Sequence, residues 1–317
     1  MTLNTSNFAG QMTKKDLRIV FFGTPDFAVA SLKAIVEAGY QVVAVVTAPD
    51  KAAGRGYQLQ SSAVKKAALE LGLDVLQPEK LKSPEFIETL KSYKADIQIV
   101  IAFRMLPEMV WNMPVMGTFN LHASLLPAYR GAAPINHAII NGETETGNTT
   151  FFLKHEIDTG AIILQDKVAI LPEDNAGTLH DKLMLNGAEL VVKSLDAIIS
   201  DTCQLSEQQQ GEFPIAPKIF TETCQINWQQ NAVKVHNLIR GLSPYPAAFT
   251  EFMGKKLKIY GSNLTDEVSS QPGLIEPLGK DRLIAHCADY LLNITDVQYE
   301  GKKRMPVKDF LNGLKTT

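Results

Sequence analysis

The sequence predicts an α/β protein: a doubly wound, mainly parallel sheet first, then a smaller, barrel-like β domain. Three observations carry this. Continuous apolar runs at 17–23 (LRIVFFG), 41–47 (QVVAVVT) and 95–103 (ADIQIVIAF) read as strands buried on both faces. Helical segments separate them, the alternation that builds parallel βαβ units. After about residue 200 the chain turns to short strands between Pro and Gly turns, the spacing of a small barrel.

The elements follow in order. The polar segment 1–16 has no apolar stretch and no Arg, which excludes a secretory signal and argues against a transit peptide. The strand at 17–23 ends in Gly23, and a helix follows that closes at Gly39. After the second strand come a helix at 62–72, a short strand at 74–78 and a helix at 83–93 capped by Ser83. The strand at 95–103 leads to another at 117–124 and a helix at 133–142. Two more exposed strands are expected at 148–156 and 160–170, then a long amphipathic helix at 175–200. Residues 204–218, with three consecutive Gln and two Pro nearby, read as a linker between domains at 17–203 and 219–317. The second domain opens with a helix at 231–242 and continues as strands near 248–253, 256–260, 282–287 and 290–299.

Composition narrows the function classes. Of 317 residues, 45% are hydrophobic and 21% charged, ordinary for a globular chain. No apolar run approaches the roughly 20 residues of a membrane helix, so no membrane partner is expected. Three scattered cysteines (Cys203, Cys224, Cys287) have no metal-type spacing and suit free thiols in a reducing, cytoplasmic setting. The net charge of −3 does not announce nucleic acid. Residues 211–317 carry 13 Lys and Arg against 11 Asp and Glu, so RNA contacts would rest on local patches such as KKLK at 255–258 and KKR at 302–304.

The chemistry concentrates in FNLHASLLPAYRG (119–131) and HEIDTG (155–160). Asn120 and His122 are two apart, so on a strand they face the same way. Their strand ends at Ser124–Pro127, and an open α/β sheet keeps its ligands at strand ends. A carboxamide beside an imidazole suits a carbonyl whose oxygen gains negative charge; the imidazole can also carry a proton near neutral pH. Asp158 can orient that imidazole, favour its charged form, or hold a water.

These segments resemble the formyltransferase family that uses 10-formyltetrahydrofolate. The resemblance rests on Asn120-Leu121-His122, on Ser124-Leu125-Leu126-Pro127 and on Asp158-Thr159-Gly160, in that order. It implies a Rossmann-like catalytic domain followed by an OB-like barrel. The catalytic residues would be Asn120, His122 and Asp158. Ser124, Leu125, Leu126 and Pro127 would line the site for 10-formyltetrahydrofolate, and no metal is implied. The segments PDKAAGRG (49–56) and IRGLSPYPAAFTEFMGKKLKIY (239–260) are similar to the branch of the family that formylates initiator methionyl-tRNA. That likeness assigns tRNA contacts to Arg55 and Lys218 and implies a tRNA-binding second domain. The loop continues Tyr57-Gln58 where that branch is usually more basic. A monomer is expected.

The sequence also bears on three other readings. GTPDFA (23–28) follows a strand, and Asp50 follows the next, as in dinucleotide-binding proteins. One glycine stands where that fingerprint needs three. Formyltransferases acting on sugar nucleotides can share the C-terminal domain, and the AGRG loop separates them from this chain. A catalytically silent folate- or RNA-binding module would not need the Asn-His-Asp trio.

Overall fold

The computed structural model describes residues 13–53 and 58–314. Of the leader expected at 1–16, residues 1–12 lie outside these, and Thr13–Asp16 form a turn held by the Asp16 carboxylate. The chain then runs β1 (Arg18–Gly23), α1 (Asp26–Glu37), β2 (Gln41–Val46), a small hairpin of β3 (Lys51–Ala53) and β4 (Gln58–Gln60), and α2 (Ala63–Glu70). It continues through β5 (Val75–Leu76), α3 (Pro84–Ser92), β6 (Ile97–Ile101), α4 (Glu108–Trp111) and β7 (Thr118–His122). Then come β8 (Arg130–Gly131), α5 (Pro134–Ile140), β9 (Glu145–Phe152), β10 (Ile162–Ala169) and the long α6 (Ala176–Ile199). The remainder is β11 (Ile215–Ala216), α7 (Ala232–Gly241), β12 (Ala248–Phe252), β13 (Lys255–Val268), β14 (Ile275–Leu278), β15 (Arg282–His286), β16 (Tyr290–Tyr299), β17 (Met305–Pro306) and α8 (Val307–Leu314).

Two compact units result. The first comprises residues 1–130, 147–168 and 181–213; the second comprises 131–146, 169–180 and 214–317. Two inner stretches therefore cluster with the C-terminal part of the chain.

In the first unit the sheet order is β10-β9-β7-β6-β1-β2-β5. Strands β5, β2, β1, β6 and β7 are parallel, and β9 runs antiparallel to β7. The mainly parallel sheet expected from the apolar runs is present. Ile19 through Phe22 and Ile97 through Ile101 are all buried, as strands covered on both faces require. Helix α1 buries Phe27, Ala28, Ser31, Leu32 and Ile35, one stripe at helical spacing. Ser62 caps α2 and Ser83 caps α3, each accepting from a backbone N–H three residues on. The chain leaves β1 toward β2 on one side and returns as β6 on the other. That reversal opens a crevice at the carboxyl ends of the strands, and β7 ends beside it.

The second unit contains an antiparallel sheet of order β12-β13-β16-β15-β14, with β17 also paired to β16. This is the antiparallel β domain that the sequence predicts. Its core gathers Trp228, Val235, Ile239, Leu257, Ile259, Leu283, Leu292, Ile294 and, from α8, Val307, Phe310 and Leu311. The Trp228 indole N–H donates to Thr250 Oγ1 (3.0 Å), so its polar edge is satisfied in the core.

Candidate active site

Strand β7 supplies two of the expected catalytic residues. It is held between β6 (Val100 beside Asn120) and β9 (Phe151 beside Asn120, Thr149 beside His122). A strand fixed on both sides cannot slip, so Asn120 and His122 keep a common face. Asn120 is half-buried and His122 is 8% exposed.

The imidazole is fixed through one nitrogen. His122 Nε2 lies 2.9 Å from the carbonyl oxygen of Tyr129. A carbonyl only accepts, so Nε2 carries a proton in this contact. That leaves Nδ1 to face the site, and Nδ1 lies 3.9 Å from Asp158 Oδ2. Protonated, the ring presents a second N–H toward the site beside a carboxylate. Neutral, it presents a lone pair.

Asp158 sits in the turn between β9 and β10, with a left-handed backbone (φ 56°) and a largely buried side chain. Such a conformation is costly for a non-glycine residue and persists where its surroundings impose it. Two constraints do so here. A Cβ on Gly160 would stand 1.5 Å from the Phe152 carbonyl oxygen, so only glycine fits. The Gln208 side-chain N–H groups donate to the carbonyls of Asp158 (2.8 Å) and Gly160 (2.9 Å).

The SLLP loop follows β7 directly. Ser124 is fully buried, and its hydroxyl donates to the Ala128 carbonyl (2.7 Å). Leu126 N–H donates to Thr149 Oγ1 (3.1 Å), while that hydroxyl donates to the Ser124 carbonyl (2.6 Å). Gln165 Nε2 reaches both the Leu126 carbonyl and Thr149 Oγ1, each at 2.9 Å. Leu126 packs with Phe151 and Ile162. The Ser124 hydroxyl and carbonyl and the Leu126 N–H and carbonyl are thus all hydrogen-bonded within the protein. Leu125 and Pro127, half-buried, remain as apolar walls at the strand end.

The dinucleotide reading finds no support in the site. Asp50, which stands where a ribose-binding acid would, pairs with Lys65 Nζ (2.6 Å) and accepts from Gln77 (2.8 Å). Those hydrogen bonds hold its carboxyl below the usual range. Among the described residues no cluster of three or more His, Cys, Asp or Glu could hold a metal ion. Nor is any helix long and apolar enough to cross a membrane among them.

Residues 17–195 match the formyl transferase family, and residues 218–315 match its C-terminal domain. The chain belongs to the formyl transferase family. It is 53% identical over 316 residues to the methionyl-tRNA formyltransferase of Bacteroides fragilis, covering 96% of this chain and 98% of that one. It is 48% identical over 303 residues to the methionyl-tRNA formyltransferase of Flavobacterium johnsoniae, covering 94% and 96%. Its structure is similar to that of WlaRD, a sugar 3N-formyl transferase, with a TM-score of 0.67, 22% identity and coverage of 90% and 99%. It also resembles HypX from Aquifex aeolicus, with a TM-score of 0.66, 17% identity and coverage of 95% and 48%. At these identities the two structures share the fold.

The remaining expected residues of this formyl transferase divide in two. Arg55 lies outside the described residues, in the sequence between β3 and β4. Lys218 is exposed in the second unit, its ammonium 5.7 Å from the Phe220 ring centre. Four further residues of the site, Thr149, Gln165, Arg130 and Gln208, are not among those the sequence points to. Arg130 belongs to the SLLPAYRG segment and was visible there. Gln208 lies in a stretch whose composition reads as a linker, and only the pairing of Ser206 with Ile162 brings it to the site.

Proposed function

We propose that this formyl transferase moves the formyl group of 10-formyltetrahydrofolate onto the amino group of methionine carried by initiator methionyl-tRNA. The reaction belongs to the preparation of translation initiation in the cytoplasm, and the enzyme works as a monomer. The relatives at about half identity and nearly full coverage are named for this activity. The observation that carries the chemistry is the trio at the end of β7: Asn120 and His122 on one face, with Asp158 3.9 Å from the free imidazole nitrogen.

The neutral amine attacks the formyl carbon, and the carbonyl oxygen becomes an oxyanion. Asn120 donates to that oxygen through its carboxamide. His122 donates through Nδ1–H in its charged form, since Nε2–H is committed to the Tyr129 carbonyl. The Asp158 carboxylate lies beside Nδ1, 3.9 Å away. The amine loses a proton as it attacks, and Asp158 takes it, directly or through a water. The C–N bond to the folate then breaks, and the proton passes to the departing nitrogen. Ser124, Leu125, Leu126 and Pro127 hold the folate by shape, with Leu125 and Pro127 as the apolar surface. The domain at 17–203 thus carries the chemistry, and 204–218, whose first part clusters with that domain, leads into the domain at 219–317.

The second domain carries the tRNA contacts. The KKLK and KKR segments, far apart in sequence, come together because Glu300 N–H donates to the Lys256 carbonyl (2.9 Å). Lys256 stands 4.2 Å from the Phe249 ring centre, and Arg304 stands 4.3 Å from that of Tyr260. Arg304 is paired with Asp296, which leaves the lysines as the phosphate-binding charges. Arg55 and Lys218 are further tRNA contacts in this reading.

Formyl transfer from 10-formyltetrahydrofolate should be measured on initiator methionyl-tRNA and on a sugar-nucleotide amine. Turnover on the tRNA alone is expected. Turnover on the sugar amine alone would replace this reading with the sugar-nucleotide one, and turnover on neither would favour a binding module.

A further inference from the structure

We infer that Arg130 and Gln208 form a positioning pair that sets the separation between Asp158 and His122; the inference rests on the active-site reading above. Gln208 is 7% exposed, and its carboxamide is fully used. Its two N–H groups go to the carbonyls of Asp158 and Gly160. Its oxygen accepts from Arg130 Nε (3.0 Å) and from Arg130 Nη2. A carboxamide offers two donors and two lone pairs, and all four are satisfied here.

The residue type follows from this arrangement. Glutamate would keep the arginine but set a carboxylate oxygen against two carbonyl oxygens. Asparagine lacks the methylene needed to span from the pairing strand to both carbonyls. The backbone delivers Gln208 to its place: Ser206 and Ile162 exchange both backbone hydrogen bonds (2.8 and 3.0 Å), which sets residue 208 opposite residue 160.

One short segment therefore governs both members of the ion pair. The Tyr129 carbonyl holds His122 by Nε2, and Tyr129 itself adopts a left-handed backbone (φ 61°). The next residue, Arg130, grips Gln208, and Gln208 grips the Asp158 turn. Residues 129–130 thus anchor the imidazole from one side and the carboxylate from the other. Neither Arg130 nor Gln208 needs to touch substrate for this.

The test is a double-mutant cycle on the full-length protein with saturating 10-formyltetrahydrofolate and methionyl-tRNA. Gln208→Ala is expected to lower kcat by about 100-fold, the scale of a displacement near 1 Å. The KM for 10-formyltetrahydrofolate should stay within about twofold. In an Asp158→Asn background the same substitution should cost less than about threefold, because residues acting through one group are not additive. Gln208→Glu, of nearly equal size, should behave like Gln208→Ala and serves if the alanine variant does not fold. Equal losses in both backgrounds, or a kcat within twofold of wild type, would overturn the positioning role. Full activity of Asp158→Asn alone would instead sink the active-site reading.

Discussion

Replacing Thr149 with valine keeps the side-chain shape and deletes one hydroxyl. That hydroxyl is fully buried, donates to the Ser124 carbonyl and accepts from Leu126 N–H and Gln165. Gln165 is exposed, keeps the Leu126 carbonyl and can turn its other N–H to water. The two backbone groups cannot, because Ser124 and Leu126 are buried. Each orphaned group costs about 1–3 kcal/mol. The added methyl returns about 1 kcal/mol, which leaves a loss of about 3 kcal/mol. Thr149→Ser keeps every bond and loses one methyl, for about 1 kcal/mol. Urea unfolding followed by Trp111 fluorescence, in a Trp228→Phe background, reads the first unit, because the two tryptophans lie in different units. The KM for 10-formyltetrahydrofolate should rise in the valine variant and not in the serine variant. A valine variant within about 0.5 kcal/mol of wild type would show that the Thr149 hydroxyl does not hold the loop, and so would a serine variant that loses as much as valine.

Three further outcomes are expected. Burial pushes the Cys287 thiol up to about 12 and raises Cys203 and Cys224 as well, so iodoacetamide at pH 7.5 should leave activity intact; folate-protected inactivation would contradict this. Burial, then the Arg240 charge, holds the His236 imidazole below its usual range. Unfolding therefore takes up a proton, so stability present above about pH 6.5 should fall as pH drops below it, and thermal unfolding of His236→Gln should lose that dependence. Lys302→Ala with Lys303→Ala, and Arg55→Ala, should weaken methionyl-tRNA binding without changing folate affinity, with Lys218→Ala milder; the salt slope should shrink by about one per lost phosphate contact, and an unchanged slope would remove these residues from the interface.

The parallel sheet was legible because its strands are buried on both faces and read as unbroken apolar runs, as in LRIVFFG. Asn120 and His122 were legible because a two-residue spacing survives any register. Strand β13 was read only over 256–260, although it runs from Lys255 to Val268. Its pairing with β16 shifts register around Gly261 and again before Val268, and the polar tail SNLTDEV shows no apolar alternation. The terminal helix α8 went unread because eight residues give barely two turns of pattern. The Arg130–Gln208 link spans 78 positions and depends on one isolated backbone pairing, and no local propensity encodes that.

The most direct test of the account is single-turnover formyl transfer by Asn120→Ala, His122→Ala and Asp158→Asn, each saturated with 10-formyltetrahydrofolate and methionyl-tRNA. Three groups converging on one reacting carbon predict losses of about 100–1,000-fold for each of the two donors, Asn120 and His122, about 100–10,000-fold for the base, Asp158, little change in folate affinity, and a triple variant scarcely slower than the worst single one. A His122→Ala or Asp158→Asn enzyme that transfers the formyl group at near wild-type rate would contradict it.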